Sequence, residues 1–143
     1  MTTINRSALL PYSASQLFDL VCDIEAYPQF MDGCAGAEVL RRDAGVIEAR
    51  LDLAKGGIRQ SFSTRNALVP NESMTLELID GPFDSFAGRW DFQVLGDAGA
   101  KLSLHLEFAF NNAVLGAAAS RLFDKVTGNL VDAVGQRAQQ VYG

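Results

Sequence analysis

At 143 residues, with 17 acidic against 12 basic side chains and a net charge of −5, the chain is long enough for one domain around one core. The acidic balance argues against a domain whose main partner is a phosphate backbone, which needs clustered Lys and Arg, and no DNA partner is expected. A hydrophobic content of 48% with 20% charged residues excludes a disordered chain. Cys22 and Cys34 are too few for a disulfide-stapled secreted scaffold and read as reduced thiols in a cytoplasmic protein. They lack a CxxC spacing and partner histidines, so no metal is expected. The start, MTTINRSALLPYS, lacks the basic head and apolar run of a signal peptide, and the uncharged stretch 108–120 is too short to span a bilayer. The protein is therefore expected to be soluble.

In chain order, residues 2–10 predict a strand that stops at Pro11. Ser13, Ala14, Ser15 and Gln16 match the S-x-x-Q capping box, so a helix starts at Ser13 with Leu17, Phe18, Leu20 and Val21 on its apolar face. A second, short helix is predicted at Ala26–Phe30, ended by Gly33 and Gly36. A strand over 37–42 follows, and from 46 the pattern alternates strictly. Ile47, Ala49, Leu51 and Leu53 share one face. So do Ile58, Gln60, Phe62, Thr64 and Asn66, then Met74, Leu76 and Leu78. Phe86, Gly88, Trp90 and Phe92 come next, and Leu102, Leu104, Leu106 and Phe108 last. Each segment reads as a strand with one wet face, separated from the next by Gly, Pro, Asn or Asp turns. The result is an antiparallel meander of about seven strands.

From 112 to 141 the period returns to three and four, with Leu115, Ala119, Leu122, Val126, Leu130 and Ala133 opposite a polar stripe. This predicts one helix of nearly thirty residues, roughly 40 Å long. A large sheet with one apolar face must cover it, and this helix carries the only long apolar stripe, so the sheet should curl around it. Gly57, Gly81 and Gly88 are candidate points of curvature. A single helix does not fill a concave sheet from end to end, which leaves an apolar cavity.

Three segments carry a resemblance: ALLPYSASQLFDLVCDIEAYPQFMDGC (8–34), TRN (64–66) and LIDGPFDSFAGRWDF (78–92). In order and spacing they resemble the coenzyme Q-binding START-domain family, part of the polyketide cyclase/START-like superfamily, across nearly the whole chain. The resemblance implies an α+β helix-grip fold of order β-α-α-β6-α. It also implies one of two activities: binding ubiquinone in support of respiration, or blocking the joining of ribosomal subunits as a ribosome-association toxin. Where the family commonly has Leu-Pro after YPQF, this chain has Met31-Asp32.

The stretch 80–92 concentrates aromatic surface. Phe86, Trp90 and Phe92 share parity and project inward, with Phe83 beside the turn; such rings serve either as core or as the wall of an incompletely filled pocket. Leu53, Phe62 and Leu76 on the sheet and Leu122 and Val126 on the helix complete that wall. Phe30 pairs with Tyr27 as an exposed aromatic couple in a lid over 30–36. Gln60, Thr64 and Asn66 put polar groups on the inward face, where each must pair with another protein group or meet a ligand headgroup. His105, the one histidine, falls on an outward position, and no nucleophile, P-loop or dinucleotide motif occurs.

Two functional readings follow. In the first, the protein is a non-enzymatic carrier of a quinone-like isoprenoid lipid, with ubiquinone as bound ligand and no cofactor, touching the inner membrane surface transiently. In the second, it binds the large ribosomal subunit and inhibits translation initiation, with Arg59, Arg65 and Arg89 as a basic patch on the outer sheet face. A cyclase or hydrolase rests on fold analogy alone.

Overall fold

The computed structural model describes residues 2–97, 99–111 and 117–143, the last range with side chains from Arg121 onward. Its elements are β1 (Thr2–Leu10), α1 (Ala14–Cys22), a 3₁₀ helix (Ile24–Gln29), β2 (Cys34–Asp43), β3 (Val46–Lys55), β4 (Ile58–Val69), β5 (Ser73–Asp80), β6 (Phe83–Leu95), β7 (Gly99–Phe110), α2 (Ala117–Gly128) and α3 (Leu130–Tyr142). The strands form one antiparallel sheet in the order β1-β7-β6-β5-β4-β3-β2. Strands β2 to β7 are a plain meander, and β1 returns to pair with β7, with Ile4 opposite Leu106. This is the helix-grip architecture, with the expected β-α-α-β6-α order followed through β7 and the terminal helix divided in two.

The capping box at α1 forms as its sequence requires. Ser13 Oγ accepts from the Gln16 amide at 3.1 Å, and the Ser13 amide donates to Gln16 Oε1 at 3.0 Å. Leu17, Phe18, Leu20 and Val21 are buried beneath it. Phe18 meets Phe92 edge-on at 5.3 Å, which fixes α1 against β6. Ser13→Ala removes one half of the box and should cost about 1 kcal/mol in urea unfolding.

Curvature arises at irregular positions in the ladders. Register shifts interrupt β2–β3 at Cys34/Gly36 and Val39/Arg41, β4–β5 at Ser63/Thr64, and β6–β7 at Phe83/Ser85. Such bulges bend the strand that carries the extra residue. Gly88 has a different role from the bend expected of it. It lies between Leu76 and Leu106 in register, and a Cβ there would sit 2.5 Å from Leu106 Cδ2 and 3.1 Å from Leu76 Cδ1. The two leucines close over the glycine, so its missing side chain is part of the inner wall.

The long terminal helix is two helices, not the single rod expected from periodicity. α2 ends at Gly128, Asn129 takes φ −104° and ψ 0°, and α3 begins at Leu130. The cause is local: Thr127, Gly128 and Asn129 are three weak helix formers in a row. Thr127 Oγ1 also donates to the carbonyl of Phe123 at 2.8 Å, a back-bond that bends helices. The apolar stripe continues across the break through Leu122, Phe123, Val126, Val131, Val134 and Ala138. The helix start expected at 112–116, with Leu115, lies outside the described residues, as does the side chain of Ala119. At the far end, Tyr142 Oη donates to the carbonyl of Gln16 at 3.0 Å and ties the C-terminus to α1.

Candidate functional site

Two layers face each other under the helices, and they are filled differently. Below α2 the space is closed by aromatic rings. Phe123 is 1% exposed and meets Phe62, Phe83, Phe108 and Phe110 with centroids 4.7–5.6 Å away. Phe83 also stacks on Phe110 at 4.8 Å. Below the break at Asn129 the packing is incomplete, and a cavity of about 70 Å³ remains. Thr127 and Leu130 border it on either side of the break, Met74, Trp90 and Leu104 form its floor, and Tyr27 and Met31 close its side.

Of the residues singled out from sequence, Phe62, Thr64, Asn66, Leu76, Phe86 and Trp90 border this cavity. The others lie elsewhere. Phe83 belongs to the ring cluster, Phe92 packs on Phe18, and Leu122 and Val126 are buried on α2. Leu53 and Gln60 face one another in register at the far end of β3–β4 and line a separate surface depression with Asp52 and Arg59. Phe30 is half-buried outside the cavity with the Arg137 guanidinium 5.3 Å over its ring.

Residues that sequence reasoning did not select include Phe123, Thr127 and Met31. The last is buried at 5% exposure although it sits in the segment read as a lid. Alternation did mark Ala49, Leu51, Met74, Leu104 and Leu106 as inward. It specifies a face of the sheet and not a depth along it, so their place at the cavity was not legible.

The cavity's polar groups are few. Thr64 Oγ1 donates to Asn66 Oδ1 at 2.7 Å, so these two pair with each other. The Asn66 amide nitrogen then remains as the donor of that pair. Tyr27 is not an exposed lid aromatic: it is 6% exposed, and its hydroxyl donates to the carbonyl of Val21. Burial, more than the nearby Cys22, Cys34 and Asp23, raises its pKa and keeps the phenol protonated. Burial likewise pushes the Cys22 thiol up to about 11, with Asp19 adding to the effect and Arg42 opposing it. Cys34 is also raised, chiefly by burial. Neither thiol is a ready nucleophile. His105 is at the sheet's outer surface, its Nδ1 against Asn5 Oδ1 and its Nε2 3.2 Å from Glu107.

The segment 30–36 is fastened at several points. The Ala54 amide donates to the Gly33 carbonyl at 2.9 Å, and Lys55 pairs with Asp32. Gly33 holds φ +88°, and a Cβ there would lie 2.6 Å from Val126 Cγ2, so the loop presses directly on α2. Only glycine allows both the backbone turn and the approach.

Two of the three arginines expected to form a basic patch on the outer sheet face, Arg65 and Arg89, are neutralised there, while Arg59 is exposed near the β3–β4 turn. Arg65 pairs with Glu48 at 2.8 Å and Arg89 with Asp91 at 2.7 Å. Arg41 pairs with Asp43, and Arg50 lies 3.0 Å from Glu38 and 3.2 Å from Asp52. Acidic and basic residues alternate across the strands there and neutralise one another. Arg65 meets its acid across the ladder, which parity does not show, but Arg41, Arg50 and Arg89 each meet one two residues along their own strand, a pairing that parity itself contains.

A curved sheet gripping two helices over an apolar hollow points to one family, and its model, polyketide cyclase / dehydrase and lipid transport, matches residues 10–134. The chain belongs to that family. Among curated relatives, it is 43% identical over 142 residues to the "ribosome association toxin RatA" of Pseudomonas aeruginosa, covering 99% of both chains. It is 41% identical over 142 residues to the protein of the same name in Escherichia coli K12, covering 99% of this chain and 90% of that one. A more distant relative, "coenzyme Q-binding protein COQ10 homolog B, mitochondrial" of Xenopus laevis, is 26% identical over 144 residues, 97% of this chain and 59% of that one. Two solved structures share the fold. A START superfamily protein from Mycobacterium smegmatis has a TM-score of 0.80 at 23% identity, covering 97% of this chain and 98% of that one. The Zhui aromatase/cyclase of Streptomyces has a TM-score of 0.81 at 17% identity, with 97% and 94% covered.

Proposed function

We propose that this protein is a ribosome-associating inhibitor of translation that binds the large subunit and opposes its joining with the small one, without performing a chemical step. The observation that carries this reading is the end-to-end similarity, at 41–43% identity, to proteins named for ribosome association. The described residues support it from the other side. Their cavity of about 70 Å³ is well below the roughly 300–1,000 Å³ of sites that enclose a drug-sized ligand. Carriage of a ubiquinone-like lipid, the first expectation, therefore becomes the second reading. It is favoured by the apolar hollow, by the Thr64–Asn66 pair beside it and by the likeness to the Xenopus protein. It requires the helix break at Asn129 to open.

No helix among the described residues is long and apolar enough to cross a membrane, so contact with lipid would be at the surface. Induced overproduction tests the main reading. Growth should arrest, and gradients of the lysate should show joined ribosomes replaced by free subunits, with the protein beside the large one. Unchanged growth and an unchanged ribosome profile would defeat it.

A further inference from the structure

We propose that the surface where the β3–β4 turn meets α2 is a contact site for RNA phosphates, with Lys55, Arg121 and Lys125 as the phosphate-binding side chains. This rests on the ribosome reading and names the chemistry of the contact. On the outer sheet face Arg41, Arg50, Arg65 and Arg89 each stand against a carboxylate. Beside α2, Lys55, Arg121 and Lys125 outnumber the acids Asp32 and Asp124.

Lys55, at the end of β3, pairs with Asp32. Gly33, next in the chain, abuts Val126, which brings Asp32 beside Lys125. Asp32 answers to both cations: its carboxyl is lowered first by Lys55 and further by Lys125. Arg121 is exposed and lies one turn before Lys125 on the same helix face. Lys55 and Lys125 thus flank one carboxylate, with Arg121 a turn further along α2, in a chain whose net charge is −5. Asp124, also exposed, lies about 100° round the helix from Lys125 but is the i+3 neighbour of Arg121, so it is a second acid at the edge of the cluster. Asp52, the nearest acid along β3, is engaged by Arg50 and by Ser61, whose Oγ donates to it at 2.6 Å.

The site is also accessible. Side-chain exposure is 74% for Asp32 and 39% for Lys55. Gly56 and Gly57 form the turn with nothing within 4 Å of where a Cβ would be, so a broad partner can approach. Arg59 is exposed two residues beyond this turn. Ammonium and guanidinium groups on an open surface, with no concave pocket between them, suit a phosphate backbone in preference to a discrete small anion. Asp32 is a built-in competitor for the same cations.

The test is pelleting of the full chain with purified large subunits across a series of salt concentrations. Each phosphate contact contributes about 0.7–0.9 to the slope of log affinity against log salt. Changing Lys55, Arg121 and Lys125 together to Gln should flatten the slope by about 2–3 and weaken binding at least tenfold near 0.1 M salt. Lys125→Gln alone, on an exposed helix surface, should remove about one contact's worth. Asp32→Asn should act in the opposite direction and tighten binding. Arg41→Gln with Arg89→Gln, on the neutralised face, should leave the slope unchanged.

Wild-type protein that fails to pellet would defeat the ribosome reading and this proposal with it. Wild-type pelleting with an unaltered slope in the Gln variants, or no gain from Asp32→Asn, would defeat this proposal alone. Loss of binding to phosphatidylglycerol vesicles in the triple variant, with subunit binding intact, would assign the surface to a membrane and overturn it as well.

Discussion

Phe123→Ala should lower stability by about 3–5 kcal/mol and the unfolding midpoint by roughly 10 °C. Phe123 reaches from α2 into five other phenylalanines, and it is 1% exposed. Phe108, at 4.7 Å, and Phe83, at 5.1 Å, come from different strands, so the ring joins the helix to the sheet at its stiffest part. Truncation loses the transfer free energy of the ring and leaves a void that five rigid neighbours have few ways to refill. Phe123→Leu keeps most of the volume and should lose less than half as much. A loss below about 1 kcal/mol for the alanine variant, measured by urea unfolding with an unchanged m-value, would contradict this description of the core.

Trp90→Ala should behave differently although the residue is nearly as buried, at 3% exposure, and both residues border the cavity: Phe123 is held by five rings, whereas the indole adjoins Met74 and Leu104. Its indole borders the cavity together with Met74 and Leu104. Removing it joins the indole's volume to space that already exists. Stability should fall by about 3 kcal/mol, toward the low end for a large aromatic because one side of the ring already faces empty space. The enlarged hollow, being apolar, should stay dry and accept small aromatic or aliphatic molecules, as engineered apolar cavities do. Benzene or a short alkyl quinone should therefore raise the melting temperature of the variant and not that of the wild type. A loss near 5 kcal/mol with no ligand-dependent shift would mean that Trp90 is ordinary core and that no usable hollow adjoins it.

These two residues illustrate what the sequence alone can reveal. Alternation placed Trp90, Phe92, Leu104 and Phe108 on the inward face, and all four are buried there. The S-x-x-Q pattern located the start of α1 to the residue, because a cap is a local hydrogen-bond pattern read from adjacent positions. Depth was not legible in the same way. Phe86 and Phe92 share parity, yet one borders the cavity and the other packs on Phe18 from α1, a partner distant in sequence.

The break at Asn129 was missed for a different reason. The apolar period runs through it undisturbed, while the signal was the succession of Thr127, Gly128 and Asn129, which periodicity ignores. Tyr27 was misjudged because an aromatic in a short Pro-containing helix looks exposed, and only the fold brings the Val21 carbonyl to its hydroxyl. Finally, Arg65 looked like a free cation until the ladder placed Glu48 against it, whereas Asp91 stands two residues from Arg89 on the same strand face and that pairing was legible from alternation alone.

The central claim is that this acidic helix-grip protein acts on ribosomal subunits. Light scattering during the joining of purified large and small subunits tests it most directly, with the purified chain added in increasing amounts. The account predicts that joining slows and its amplitude falls as the protein approaches the concentration of large subunits, and that salt relieves the effect. Joining that proceeds at full rate and full amplitude in excess protein would contradict it.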